Sequence, residues 1–287
     1  MSKIKIVTDS ASDIPFKHED LYDIQVVPFK ITLGDETYIS RVELQNNEFY
    51  ELLAETGDFP KTESLSPFDF GELYGDLFEQ GYTDIIYVAV NSEGSATYEN
   101  SVLARKQFFE DNPDAADKLN IYCIDSGTYS AGYGWAVVEA AKMADKGVFA
   151  PEIVKFLENR FKNCVIYFGL FDLKYAKRSD IIEAGSGFMG LRPIMKVGKK
   201  SVTTEATVRR ESAILPLICE LCTEEIQKGS PYCIIYGNDA DIKDNLASLL
   251  TKTLGYPPTD TYQAGAVTAC HTGYEIAGVV FEADKEI

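Results

Sequence analysis

The stretch Asp84-Ile-Ile-Tyr-Val-Ala-Val90 is followed directly by Asn91-Ser-Glu-Gly-Ser-Ala-Thr-Tyr98. The first part is an apolar, β-branched run of the kind that fills a central strand buried on both faces. The second part is a turn of small polar residues that leads into a helix predicted over 99–109. Open α/β sheets bind their ligands just outside the carboxyl ends of such strands. The stretch therefore predicts a parallel sheet with a candidate ligand-binding edge.

The start of this predicted helix is a candidate anion site. The backbone N–H groups of Ser95, Ala96 and Thr97 lack intrahelical acceptors there, and the helix dipole favours negative charge. The small side chains allow an anion to approach closely, and the hydroxyls of Ser95 and Thr97 are further donors. A Ser or Thr helix cap without any ligand explains the same residues. The turn becomes a stronger candidate for a binding site only if residues from other segments of the chain lie beside it.

Composition excludes several classes of partner. The chain has 287 residues, of which 45% are hydrophobic and 25% charged, as in an average soluble globular protein. Its formal charge of −18 should repel nucleic acid and anionic lipid surfaces. The N-terminal sequence lacks the apolar region of a signal peptide, and no run approaches the roughly 18 apolar residues of a membrane span. We expect a cytoplasmic protein without an integral membrane segment.

The chain divides into two parts by its pattern of strands and helices. Residues 1–162 alternate strand and helix, which predicts a parallel-sheet α/β/α domain. Beyond them, the turn Val197-Gly-Lys-Lys200 predicts an antiparallel hairpin, helices are predicted over 214–227 and 241–254, and extended runs are predicted around Val267 and Val279. We therefore expect an α/β protein of two domains, with residues 163–287 forming an α+β domain that has a mixed or antiparallel sheet.

Two polar segments accompany the predicted sheet. After the first strand, Ser12 or Asp13 is placed to cap a helix that begins near Pro15. The segment 59–67 is predicted as a polar loop, whose hydroxyls serve as caps and turn formers or reach into a site. These hydroxyls belong to Thr62, Ser64 and Ser66.

Enzymatic alternatives rest on few residues. Asp9 follows a strand and is a candidate nucleophile or magnesium ligand for phosphoryl transfer, although position 11 is Ala where a second acid is expected. A hydrolase acting on acyl esters would use Ser95 as nucleophile and His271 as base, although no G-x-S-x-G motif is present. The run Gly185-Ser-Gly-Phe-Met-Gly190 matches a dinucleotide-binding motif, but Pro193 stops the helix that such a site requires. We expect no cofactor and no metal.

A succession of motifs across the whole chain resembles the DegV family of bacterial fatty-acid-binding proteins (FakB-like). The last motif contains His271, in a segment where a strand is predicted to end in a turn of small residues. In chain order the motifs are Thr8-Asp-Ser-Ala-Ser-Asp13, Lys61-Thr62 with Ser66-Pro67, Ser95-Ala-Thr-Tyr98, Arg192-Pro-Ile194 and His271-Thr-Gly273.

The resemblance implies a two-domain protein that holds one long-chain fatty acid in a tunnel between the domains. It implies that Thr62, Ser95 with Ala96 and Thr97, and His271 bind the carboxylate. It further implies a carrier with no catalytic step of its own, which delivers the fatty acid to a separate fatty acid kinase that makes acyl phosphate for phospholipid synthesis. A sensor for another amphipathic acid is a remaining alternative.

The sequence also departs from the pattern of that family. Glu63 places an acid beside the implied carboxylate site, and Ala96 stands where the family has Gly in Ser-Gly-Thr. The family's His-x-Gly-Pro-Gly is His271-Thr-Gly-Tyr-Glu275 here. Because the binding residues match better than the flanking ones, the sequence supports fatty acid binding more strongly than docking to a kinase.

Overall fold

Strands and helices alternate along most of the first half of the chain in the computed structural model of the protein, which describes residues 3–56, 58–178, 190–198 and 200–284. The main exception is the segment 25–39, where three strands follow one another. The strands are β1 Ile4–Asp9, β2 Gln25–Val27, β3 Lys30–Leu33, β4 Glu36–Ile39, β5 Lys61–Glu63, β6 Asp84–Ala89, β7 Asn120–Asp125, β8 Cys164–Leu170, β9 Arg192–Gly198, β10 Ser201–Val208, β11 Tyr232–Tyr236, β12 Asp260–Gln263 and β13 Ile276–Glu282. The helices are α1 Phe16–Leu21, α2 Asn46–Thr56, α3 Pro67–Glu79, α4 Thr97–Asp111, α5 Ala131–Asp145, α6 Ala150–Lys162, α7 Lys174–Arg178, α8 Ile214–Glu225, α9 Ala240–Leu254 and α10 Ala266–Thr272. The glycine-rich run 185–190 lies outside the described residues except for Gly190.

The first sheet is parallel and is organised around β6. Its strand order is β2-β1-β6-β7, and every residue of β6 is buried. Helix α4 packs on β7, while α5 and α6 pack on β1, β6 and β7. An apolar strand covered in this way needs no polar face, which is why its sequence shows no alternation. The predicted parallel-sheet α/β architecture is confirmed.

The second sheet is mixed, as predicted. Its order is β10-β9-β8-β13-β11-β12, and only β11 and β12 pair in parallel among the described strands, joined through α9. The predicted hairpin is present, with β9 and β10 antiparallel. One face, which carries Val165, Tyr167 and Phe281, packs with the apolar side chains of α8 and α9. The opposite face, which carries Ile166 and Phe168, turns toward α5.

Helix α5 lies between the two sheets. Its Tyr133 belongs to the apolar core around the parallel sheet, whereas Trp135 belongs to the cluster on the inner face of the mixed sheet. Gly134 lets the helix approach the main chain of the β1–α1 connection, because a Cβ there would lie 2.0 Å from the carbonyl oxygen of Ser12. The helix is therefore apolar around most of its circumference, as expected for one that is buried on two sides.

Two expectations about local structure are wrong. The segment around Val267 is the helix α10 and not a strand, because its small side chains pack against α2, α7 and β5, and this packing outweighs the strand preference of Val and Thr. The predicted loop 59–67 contains the short strand β5, which pairs with β3 and opposes Thr62 to Ile31. Strands β4, β3 and β5 form a small antiparallel sheet. In both segments tertiary contacts decide the conformation.

Asp13 does not cap α1, and neither does Ser12. The helix begins after Pro15 without a side-chain cap. Asp13 is buried and instead accepts hydrogen bonds from the Ser130 hydroxyl (2.5 Å), the Thr268 hydroxyl (2.7 Å) and the Gly265 amide (2.8 Å). It thereby fixes α10, from the second half of the chain, to the turn after β1.

The predicted boundary between residues 162 and 163 falls between α6 and β8. Because α10 packs into the core of the first half, the two halves share apolar contacts on both sides of that boundary. The division into domains 1–162 and 163–287 stays a prediction. Among the described residues, no helix combines the length and the apolar composition that crossing a bilayer requires.

The buried carboxylate of Asp13 should give the protein a specific pH dependence. Burial raises the pKa of Asp13 from 3.8 to about 6, so between these values the folded protein holds a proton that the unfolded chain has released. Stability therefore falls as the pH rises through this window, by on the order of 3 kcal/mol. Urea unfolding of wild type and Asp13→Asn at pH 4, 5, 6 and 7 should show the wild type losing stability relative to the variant. A difference that is the same at every pH would contradict this role for Asp13.

Candidate functional site

A cavity of about 410 Å³ lies between the inner face of the mixed sheet and the first half of the chain. Its volume is within the range of about 300–1,000 Å³ typical of small-molecule sites. Most of its wall is apolar. The mixed sheet contributes Ile166, Phe168, Val197, Val202, Ile235 and Ile276, and the opposite wall contributes Ala11, Phe29, Val90 and Val267.

Polar groups line another part of the same cavity. The Thr62 hydroxyl lies 3.2 Å from Nε2 of His271, and the Ser64 hydroxyl lies 3.0 Å from that of Ser95. Of the described residues that line the cavity, none is Asp, Glu, Lys or Arg. The cavity therefore combines an apolar wall with hydroxyl and imidazole groups that carry no fixed charge.

Three separate elements bring these groups together. Thr62 lies on β5, Ser95 lies in the turn between β6 and α4, and His271 lies on α10. The segment after β5 is held against α4, because the Asn100 amide donates to the Leu65 carbonyl at 2.8 Å. The capping box between Ser66 and Asp69 then begins α3, which fixes where this segment ends.

His271 is neutral at pH 7. Burial lowers its pKa from the ordinary value of 6.5, since the charged imidazolium loses hydration. A neutral imidazole has one N–H donor and one acceptor nitrogen. It can therefore donate a hydrogen bond to an anion without bringing a buried positive charge into the cavity.

The other two predicted site residues lie differently. Ala96 is exposed and Thr97 is fully buried, and neither is among the residues that line the cavity. The Thr97 hydroxyl lies 2.8 Å from that of Ser95, so Thr97 fixes the orientation of Ser95. Glu63 is exposed and is also absent from the cavity lining, so its charge points away from the polar end.

Several cavity residues were missed by sequence reasoning. Gly94, Tyr129, Ser130 and Thr268 line the cavity together with the predicted residues. Tyr129 and Ser130 follow β7, at the same carboxyl edge of the sheet as the turn after β6. Their position directly after a predicted parallel strand could have indicated Tyr129 and Ser130 from the sequence. No sequence pattern indicated the short helix that carries Thr268.

The contacts of Ser95 and Asp9 are relevant to the two enzymatic alternatives, acyl-ester hydrolysis and phosphoryl transfer. Among the described residues, the hydrogen-bond partners of the Ser95 hydroxyl are Ser64 and Thr97, and neither is a histidine. Asp9 is fully buried and accepts from four donors, the two nearest being the hydroxyls of Tyr133 (2.6 Å) and Tyr87 (3.0 Å). Over residues 3–56, 58–178, 190–198 and 200–284, no three metal-ligating side chains are grouped to hold an ion.

The neutral state of His271 can be tested by NMR. In protein labelled with ¹⁵N-histidine, the ring signals of His271 should keep their neutral shifts as the pH falls from 8 and should titrate with a midpoint below 6.5, because burial disfavours the cation. The variant His271→Gln identifies which of the signals belongs to this residue. A midpoint at or above 6.5 would contradict the proposed environment.

Comparison with known proteins places this chain in a family. A sequence profile of the DegV family, described as uncharacterised proteins, matches residues 3–284. A DegV domain-containing protein of Caldanaerobacter subterraneus subsp. tengcongensis is 30% identical over 295 residues, covering 98% of this chain and 99% of the relative.

Solved structures share the fold across the chain. A stearic acid-binding protein from Eubacterium ventriosum superposes with a TM-score of 0.86 at 22% identity, covering 98% of both chains. DegV of Bacillus subtilis, described as a fatty acid binding protein, superposes with a TM-score of 0.84 at 24% identity, covering 98% of this chain and 99% of that one. Together with the profile match over nearly the whole sequence, these similarities show that the chain belongs to the DegV family.

Proposed function

We propose that this protein binds one long-chain fatty acid, with the acyl chain in the cavity and the carboxylate at Thr62, Ser95 and His271. The observation that carries the proposal is the cavity itself, whose apolar wall meets hydroxyl and imidazole donors and, among the described residues, no fixed charge. An amphipathic ligand with a long tail and a small anionic head is complementary to such a site. The fatty acids that related proteins bind, stearic acid in the Eubacterium ventriosum structure among them, have this form.

The energetics favour an acyl chain over a small acid. Each methylene removed from water contributes about 0.8 kcal/mol, hence on the order of 10 kcal/mol for a long chain. The costs of association and ordering reduce the net affinity. The carboxylate loses hydration as it enters, and each hydrogen bond to it contributes about 1.5–3 kcal/mol in compensation. The chain drives binding, and the donors set its orientation.

The hydroxyls and His271 are already arranged in pairs. Thr62 with His271, and Ser64 with Ser95, are within hydrogen-bond distance of each other. A carboxylate accepts hydrogen bonds from several donors at once, so it can take over these bonds as it enters. Because three separate elements already hold the donors in place, binding requires little further ordering of their side chains.

The second part of the proposal concerns what happens to the bound fatty acid. We propose a FakB-like carrier of the cytoplasm, without a catalytic step of its own, that presents the carboxylate to a fatty acid kinase for acyl phosphate formation and phospholipid synthesis. Ser64, Gly94 and Ala96 are exposed, so the polar end of the cavity lies near a surface that a second protein can reach. We further propose that the cavity separates two domains, 1–162 and 163–287.

The carboxylate donors can be tested one at a time. Thr62→Val and Ser95→Ala should each weaken palmitate binding roughly 10- to 100-fold, since each removes one hydrogen bond to a charged group. Binding is measured by displacement of a fluorescent fatty acid, and folding by thermal unfolding. Thr32→Val is the matched control, because Thr32 lies in the same small sheet and pairs with Thr37 outside the cavity. Unchanged palmitate affinity in a folded variant would remove that residue from the site.

A further inference from the structure

Tyr129 lies on the wall of the cavity, in the connection between β7 and α5. Its phenolic oxygen lies against the turn that contains Ser95. A Cβ placed on Gly94 would be 2.5 Å from this oxygen, so only a glycine leaves room for it. The hydroxyl of Tyr129 is therefore next to the same turn that supplies a predicted carboxylate donor.

The hydrogen bonds around Tyr129 indicate where its hydroxyl proton does not point. The Asn91 side-chain amide donates to the Tyr129 oxygen at 3.0 Å and to the Lys200 carbonyl at 2.8 Å. The Asn91 side-chain oxygen accepts from the Glu93 amide at 3.2 Å, which fixes the orientation of the Asn91 amide. The Tyr129 oxygen is thus an acceptor in this contact, and its own O–H must point elsewhere.

Among the residues that the structure describes, no hydrogen bond has the Tyr129 O–H as its donor. The hydroxyl faces a cavity whose other polar groups include hydroxyls and the imidazole of His271. Burial raises the pKa of Tyr129, with Asp125 and Glu93 adding to the effect and the bond from Asn91 opposing it, so the phenol stays protonated at pH 7. A half-buried phenol with an unused proton is suited to donate to an anion.

We infer that Tyr129 is a further binding residue that donates its hydroxyl proton to the carboxylate of the bound fatty acid. The inference rests on the proposed function and adds a donor that the family resemblance did not supply. Asn91 is the positioning residue, because its amide fixes the phenolic oxygen as an acceptor. Lys200 holds Asn91 through its carbonyl, while its ammonium pairs with Asp125 at 2.6 Å. Tyr129 should therefore discriminate a carboxylate from uncharged head groups.

The test compares two ligands on matched variants. Tyr129→Phe should weaken palmitate binding at least tenfold and change hexadecanol binding less than twofold, because a hydrogen bond to a charged group contributes more than one to a neutral hydroxyl. Tyr122→Phe is the control, since Tyr122 is a half-buried tyrosine of the neighbouring strand β7 and does not line the cavity. It should leave both affinities unchanged. Thermal unfolding establishes that both variants are folded.

The outcomes separate this inference from the function on which it rests. Unchanged palmitate affinity in Tyr129→Phe overturns the inference, and so does an equal loss for palmitate and hexadecanol, which would mean that the ring only packs. Failure of the wild-type protein to bind palmitate overturns the proposed function itself. As a second readout, the Cζ signal of Tyr129 in ¹³C-tyrosine-labelled protein should shift on addition of palmitate, and an unmoved signal counts against the inference.

Discussion

Helix α5 lies between the two larger sheets, and the width that it can cover determines the cavity. The mixed sheet has six strands, so its inner face is about 24 Å wide, whereas a helix with its side chains covers about 10 Å. Helix α5 therefore covers only part of that face. The rest of that face lines the cavity with apolar side chains, including those of Phe168 and Ile235. In the proposed complex, an acyl chain packs against these side chains.

The polar end of the cavity depends on contacts far apart in the sequence. Thr62 and His271 are 209 residues apart and meet because β5 and α10 pack together. Asp13 holds α10 in place through Gly265 and Thr268, so a buried carboxylate outside the ligand site fixes the position of a donor within it. Of the described residues, no charged side chain lines the cavity, whereas Asp13 lies directly behind the lining residues Ser130 and Thr268.

Much of the fold was predictable because burial leaves a local pattern. The apolar run of β6 and the antiparallel hairpin of β9 and β10 are short-range features, and they are confirmed. The predicted alternation of strand and helix holds except at β2, β3 and β4, which follow one another without a helix. Helix α10 and strand β5 were not predictable, because their sequences are short and small or polar and their conformations depend on partners elsewhere in the chain. The pairing of Thr62 with His271 was expected only through family resemblance, since no spacing implies it. The proposed role of Tyr129 as a donor depends on the orientation of the Asn91 side-chain amide, which the sequence does not indicate.

The most direct test of the central claim is mass spectrometry of freshly purified protein, under native conditions and after denaturation. If an acyl chain completes the core, the native mass should exceed the chain mass by one long-chain fatty acid, and denaturation should release that acid intact. A protein that is ligand-free after purification and takes up no palmitate when it is supplied would contradict the account.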